Sequence, residues 1–224
     1  MPINQGTPAT LEAFRRALSS AELRLLRTKA SRLQARARRA SRRFPLISAG
    51  IVGVLWLATM LASDAPWPVV TGFWAVVWLG LTLWGMKDLR TSTGSMTSMA
   101  AGLESALRRK EADVFVIRSR SYVQFEEIED EGACYAFELD DERVVFISGQ
   151  EFYPEAKFPS LDFSLVYVLD ERGQTVDMLI EKRGPRVAPS RIISAETKGR
   201  LDIPEHLTTL PGPTADLESR LGSR

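Results

Sequence analysis

Two long apolar runs constrain the fold of this 224-residue chain more than any other feature. They extend from Phe44 to Ser63 and from Trp67 to Met86, and neither contains a charged residue. A helix of about twenty residues spans roughly 30 Å, the thickness of the hydrocarbon core of a bilayer. The rest of so small a chain could hardly cover two such helices. The sequence therefore predicts two membrane-spanning helices, residues 44–63 and 67–86, joined by a short tip into a transmembrane hairpin.

Basic residues around the two runs predict the orientation of this hairpin. Lys87 and Arg90 follow the second run, whereas the tip contains only Asp64. Lys and Arg accumulate on the cytoplasmic side of membrane proteins, so both termini are predicted to be cytoplasmic. The predicted location is a cell membrane (inner or plasma membrane) with a multi-pass topology. The segment before the first run ends in five arginines, Arg36, Arg38, Arg39, Arg42 and Arg43.

The amino-terminal segment, residues 1–43, is predicted to be a basic helical arm. There is no Gly or Pro between Thr10 and Phe44, and the segment is rich in Ala, Leu and Arg. Ser19 and Glu22 have the spacing of a capping box, which indicates that a long helix begins near Ser19. The segment holds eleven Lys and Arg residues against two Glu residues, a net charge of +9.

Four hypotheses explain this charge. The first is that it only keeps the amino terminus inside, and the second is that it binds anionic lipid headgroups beside the membrane. The third is docking of Arg24, Arg27 and Arg32 onto the acidic stretch 104–183, whose net charge is −9. Nucleic acid ranks last, because the arm has few aromatic residues for base stacking.

The carboxy-terminal half is predicted to be β-rich, so the fold class is α+β with a membrane anchor. Residues 87–111 are interpreted as a linker and a short helix, residues 112–213 as the β-domain and residues 214–224 as a flexible tail. Short alternating runs separated by tight polar turns predict an antiparallel β-meander that forms a small barrel or sandwich. The expected strands are Val114–Arg118, Tyr122–Ile128, Ala133–Leu139, Arg143–Ser148, Phe163–Leu169 and Thr175–Glu181.

No catalytic, cofactor or metal site is predicted. The single cysteine, Cys134, and the single histidine, His206, are interpreted as an inert thiol and a surface imidazole. Acidic clusters at 126–131 and 140–142 contain oxygen ligands for Ca²⁺ or Mg²⁺, but they lack the spacing of an EF-hand loop. They are interpreted as solvated turns.

Small residues in the first apolar run raise the question of self-association. Ala49 and Gly53 are four residues apart, a spacing that allows close contact between membrane helices. They are interpreted mainly as packing positions within the hairpin, and a homo-oligomer is the alternative.

Two functions remain open from the sequence. The first is an integral membrane protein whose cytoplasmic β-domain binds a protein partner as an interaction, scaffold or regulatory module. The alternative is a membrane-anchored enzyme with an unidentified site on the β-domain. The absence of a catalytic motif favours the first hypothesis, and the sequence does not identify the partner.

Overall fold

A computed structural model describes residues 10–62, 66–140 and 142–222. Within these ranges the chain is α+β, with six helices and two sheets. It divides into two compact units, which are described separately below. One unit contains residues Leu18–Glu111 and Leu169–Val176, and the other contains the amino-terminal strand, residues Ala112–Val168 and the chain from Asp177 onward.

Two antiparallel helices of 43 residues each form most of the first unit: α1, Ser20–Ala62, and α2, Trp67–Arg109. At 1.5 Å per residue, each is about 65 Å long. The predicted capping box begins α1: the Ser19 N–H donates to Glu22 Oε2 at 2.5 Å, and the Glu22 N–H donates to Ser19 Oγ at 3.3 Å. The far end of α2 lies beside the start of α1, where the Leu18 N–H donates to the Lys110 carbonyl at 2.8 Å.

The expected two-helix transmembrane hairpin is not supported by these helices. Among the described residues, only Trp67–Lys87, with 21 residues, is long and apolar enough to cross a membrane. The apolar part of α1 is the shorter segment Leu46–Ala62. Its seventeen residues rise about 26 Å, less than the roughly 30 Å core of a bilayer. The run predicted from the sequence is longer because it includes Phe44 and Pro45 at one end and Ser63, which lies outside the described residues, at the other.

The expected linker after the second apolar run is also absent from the described chain. Residues 91–98 continue α2 without interruption to Arg109, although Ser, Thr and Gly are weak helix formers. Lys110 then ends the helix in a left-handed conformation, with its N–H donating to the Ala106 carbonyl. Ala100, Leu103 and Ala106 are buried beyond this stretch, and the packing of that part of α2 extends the helix through it.

The second unit is a sandwich of two sheets, formed by nine strands in the described chain. One sheet has the order β1-β2-β6-β7 and the other has the order β8-β3-β4-β5-β9. The strands are β1 Leu11–Ala17, β2 Glu111–Arg118, β3 Ser121–Phe125, β4 Ala133–Glu138, β5 Arg143–Gly149, β6 Asp162–Leu169, β7 Thr175–Arg183, β8 Arg191–Ile193 and β9 Thr209–Pro211.

Alternating side chains of β4 build cores on both faces of the second sheet. Tyr135 and Phe137 point between the two sheets, where they pack with Phe163 of β6. Cys134 and Ala136 point to the opposite face, which is covered by the carboxy-terminal segment. The protein buries β4 on both faces, so the second sheet forms the central layer of this unit.

The topology differs from the predicted meander in three places. Leu11–Ala17, expected to be helical, is an edge strand beside β2. The short strand β8 pairs in parallel with β3, so the sheet is not purely antiparallel. The expected flexible tail contains a short helix, α4 (Leu217–Leu221), and its two terminal leucines are buried against the second sheet. Burial of these leucines provides the physical reason why the tail is ordered.

Candidate functional site

An apolar surface on the helix pair is the most unusual feature of the described residues. In the segment Trp67–Lys87, only 6% of the most apolar stretch is buried within the protein. The neighbouring segment Leu46–Ala62 also carries exposed aliphatic side chains. Contiguous apolar surface of this extent marks a contact with lipid or protein, because water disfavours it. The exposed large side chains are Leu46, Ile47, Ile51, Val54, Leu55, Leu57, Leu61, Trp67, Val69, Phe73, Val76, Leu79, Leu81, Leu83, Trp84 and Met86.

Two reciprocal hydrogen bonds connect the helices inside this apolar region. The Trp56 indole N–H donates to Thr71 Oγ1 at 3.1 Å, and the Trp74 indole N–H donates to Thr59 Oγ1 at 3.2 Å. Each helix therefore supplies one tryptophan and one threonine. Such bonds between membrane helices contribute about 0.6 kcal/mol on average and satisfy polar groups that lipid cannot.

Ala49 and Gly53, interpreted from the sequence mainly as packing positions and alternatively as an oligomerisation motif, lie on an open groove between the helices. Ala49, Gly53 and Ala75 line this groove, which has a volume of about 270 Å³. A Cβ atom built on Gly53 meets no atom within 4 Å, so its small size is not needed for packing within one chain. Self-association through this groove stays a prediction, since nothing in the described chain occupies it.

A basic stripe runs along the polar half of α1. Leu26, Ala30 and Ala37 are buried on one side of this helix. We name the exposed set the basic stripe, consisting of Arg24, Arg27, Arg32, Arg36, Arg38 and Arg39. None of these six arginines has an ion-pair partner among the described residues.

The basic stripe is part of the same continuous helix as the apolar segment that begins at Leu46. At 1.5 Å per residue, Arg39 is about 10 Å and Arg36 about 15 Å from Leu46 along the helix axis. Arg32 is about 21 Å away and Arg24 about 33 Å away on the same scale. Arg42 and Arg43, predicted to join this patch, are in helical backbone, but their side chains lie outside the described structure.

Two basic residues that the docking hypothesis did not name form ion pairs with acidic residues of the sandwich. Arg15 of β1 binds Asp113 with an Nε–Oδ1 distance of 2.7 Å. Arg16 of β1 binds Glu181 of β7 at 3.3 Å. These pairs hold the amino-terminal strand on the first sheet, whereas the predicted docking residues belong to the basic stripe of α1. Docking through that stripe stays a prediction.

The acidic cluster at 126–131 stabilises its own turn. Glu127 Oε1 accepts hydrogen bonds from the Gly132 N–H at 3.0 Å and from the Tyr153 hydroxyl at 2.5 Å. Glu126 Oε2 accepts from the Ala195 N–H at 3.0 Å. These carboxylates therefore satisfy backbone donors of the turn and of the carboxy-terminal segment.

A polar cavity lies beside this turn, between β4, β5 and the short helix α3, Ala195–Lys198. Its volume is about 250 Å³, and Cys134, Ser148 and Lys198 contribute to its wall. Only 4% of the Lys198 side chain is exposed, and its Nζ atom is 3.1 Å from Glu131 Oε1. The Glu131 side chain is about half exposed, so only the lysine of this ion pair is buried. The sequence pattern contained no signal for the burial of Lys198, because a lysine near the carboxy terminus is ordinarily solvated.

Cys134 lines this cavity, but its thiol is buried. Its residue is 3% exposed. Burial raises the pKa of the thiol to about 11, and the nearby Lys198 ammonium only partly offsets this effect. Nucleophilic attack requires the thiolate, which is scarce at pH 7 for such a group.

His206 is more constrained than the predicted surface imidazole. Its Nδ1 atom accepts a hydrogen bond from the Ser148 N–H at 3.1 Å, and its Nε2 atom is 2.5 Å from the Tyr167 hydroxyl. The ring also stacks on Phe152, with centroids 5.1 Å apart. Burial lowers the pKa of His206, so the neutral ring is the stable form at pH 7. The imidazole acts as a structural connector between β5 and β6.

The described residues contain no group of three or more His, Cys, Asp and Glu side chains that could hold a metal ion. Comparisons of the chain with protein-family models, with curated proteins and with solved structures find no match.

Proposed function

We propose that this chain is a membrane-anchored protein whose β-sandwich acts as an interaction or regulatory module at the cytoplasmic face. In this proposal, the segment Trp67–Lys87 lies in lipid. The observation that carries it is the 6% burial of that segment, which leaves a spanning length of apolar helix without a protein cover. Lipid is the environment that removes such a surface from water.

A soluble core helix and a secretory signal both fit this segment less well than a membrane anchor does. The core helix of a soluble protein would be mostly buried, whereas this one is exposed along its length. A secretory signal lies at the amino terminus, whereas this segment begins at residue 67. Anchoring in a membrane is therefore the interpretation that the exposed surface supports best.

The orientation follows from the charges at the polar ends of the helices. The start of α1 and the end of α2 adjoin at Leu18 and Lys110, so both polar ends belong on the same side of the membrane. The basic stripe of α1 favours the cytoplasmic side for these ends. The sandwich continues directly from both of them, with β1 before α1 and β2 after α2. A cell membrane, inner or plasma, with both termini in the cytoplasm is the location that we propose.

The side chains of the sandwich support a binding module better than an enzyme. Its thiol is buried and protonated, its imidazole connects two strands, and several acidic side chains of the turn accept backbone hydrogen bonds. These groups are committed to the structure of the domain. We propose a cytoplasmic protein as the partner of the sandwich.

Membrane extraction of two matched variants tests the anchor. The test variant, Val76→Arg with Leu79→Arg, adds two charges to exposed positions of the apolar segment. The control variant, Ser95→Arg with Met99→Arg, adds two charges to exposed positions of the polar half of α2. An arginine at the centre of a membrane helix costs about 3 kcal/mol, so the first variant should lose its membrane association. The wild type and the second variant should remain in the membrane pellet after alkaline carbonate treatment. Release of the wild type by carbonate would refute the proposal.

A further inference from the structure

We propose that the membrane-proximal part of the basic stripe, Arg36, Arg38 and Arg39, binds the headgroups of anionic lipids in the adjoining leaflet. This inference rests on the proposed membrane anchor and assigns a lipid class to it. Arginine suits this role, because its planar guanidinium presents several N–H donors in a geometry that matches phosphate and carboxylate oxygens.

The three side chains are available for such contacts. All three are exposed on the helix face away from the buried residues Ala30 and Ala37. None of the three has a hydrogen bond or ion pair to another described side chain. A headgroup can therefore approach them without displacing an existing partner.

The local charge balance is strongly positive. Between Glu22 and Asp64 the sequence contains no carboxylate, although eight basic residues follow Arg24 up to Arg43. The polar part of α2 at residues 91–98 consists of uncharged residues. The arginines therefore have no carboxylate of their own helix between them and the leaflet, and their field extends toward it.

Distance divides the stripe into two sets. Phe44 of α1 lies against Gly85, near the end of the segment Trp67–Lys87, so the hydrocarbon boundary of that segment is level with the start of the apolar part of α1 near Leu46. The headgroup region covers about the next 6 Å. Arg39 then lies about 4 Å beyond the headgroup region, and Arg36 lies about 9 Å beyond it, close to one Debye length of about 8 Å in physiological salt. Arg24, Arg27 and Arg32 lie about two or more Debye lengths away, where the leaflet attracts them only weakly. These distal arginines carry the same charge on the same helix and therefore form an internal control.

The test measures lipid selectivity of the full-length protein in phosphatidylcholine vesicles. Spin-labelled phosphatidylserine and spin-labelled phosphatidylcholine are added as probes, and electron paramagnetic resonance reports the fraction of each that the protein immobilises. The proximal variant is Arg36→Gln, Arg38→Gln and Arg39→Gln. The distal variant is Arg24→Gln, Arg27→Gln and Arg32→Gln.

The wild type should prefer the phosphatidylserine probe, and 0.5 M salt should weaken this preference. The proximal variant should lose about fivefold in selectivity, which corresponds to about 1 kcal/mol for the basic residue that one headgroup contacts. The distal variant should change less than twofold. An equal effect of the two variants, or no preference in the wild type, would overturn the lipid assignment.

Failure of the anchor itself would look different in the same experiment. A protein that does not enter the bilayer would immobilise neither probe and would not float with the vesicles. A protein that immobilises both probes equally retains its anchor and lacks only the lipid selectivity.

Discussion

Acidification should weaken the sandwich through His206. The Ser148 N–H already donates to Nδ1, so the proton of the neutral ring is on Nε2, toward the Tyr167 hydroxyl. Protonation of the ring would place a second proton at Nδ1, directly against the Ser148 N–H. The hydrogen bond would be lost and a buried donor would remain without an acceptor, at a cost of about 1–3 kcal/mol.

The direction of the pH effect on stability follows from the lowered pKa of His206. Because burial depresses it, the unfolded chain takes up the proton at a higher pH than the folded chain. The free energy of unfolding should therefore fall as the pH decreases below the ordinary value of 6.5. Above that pH the imidazole is neutral in both states, and this contribution is constant.

Hydrogen exchange of the full-length protein, measured by mass spectrometry, tests this effect at β5. After correction for intrinsic exchange, peptides containing Ser148 should open with about 1 kcal/mol less free energy at pH 5.5 than at pH 7.5, because a single group with an ordinary pKa of 6.5 contributes no more than about 1.4 kcal/mol over that range. His206→Gln retains an acceptor but does not titrate, so it should remove the pH response. Tyr167→Phe keeps the titrating ring and should preserve the response. An equal pH response in the wild type and His206→Gln would refute the role of the imidazole.

Three further predictions concern the core. In a denaturant titration, Leu217→Ala should lower the free energy of unfolding by about 2–5 kcal/mol, because Leu217 is fully buried. The control Leu25→Ala, at a 53% exposed position, should cost less than about 1 kcal/mol. Cys134 should resist maleimide at pH 7.5 until the sandwich opens, and labelling at the rate of a free thiol would contradict its burial. Because its pKa is raised to about 11, its stabilising contribution should decrease above the ordinary value of 9.

The local pattern of apolar and polar residues predicted the central strands. It failed for segments whose secondary structure is decided by long-range contacts. The alternation of Tyr135, Phe137 and Leu139 identified β4, because one face of a strand repeats every second residue. Leu11 and Phe14 of β1 and the following Leu18 have helical spacing, but the strand that pairs with β1 begins a hundred residues later at Glu111. Strand pairing across such a separation leaves no local signal, so the pattern of this segment predicts a helix.

The candidate site, like the fold, was predictable from the sequence only in part. The exposed arginines of α1 could be named from composition, and their helical placement follows from the capping box at Ser19. The ion pair of the buried Lys198 with the half-exposed Glu131 could not be named, because it depends on the position of α3 beside β4 and β5. Likewise, only the fold shows that His206 meets Ser148 and Tyr167.

Tryptophan fluorescence tests the membrane anchor most directly. All five tryptophans of the chain lie between Trp56 and Trp84, so their emission reports on the apolar region alone. In vesicles, the emission of the full-length protein should be blue-shifted, and lipids brominated along their acyl chains should quench it strongly. The Val76→Arg, Leu79→Arg variant should lose this quenching, whereas the Ser95→Arg, Met99→Arg variant should retain it. Emission from the wild type that brominated lipids do not quench would contradict a membrane location for Trp67–Lys87.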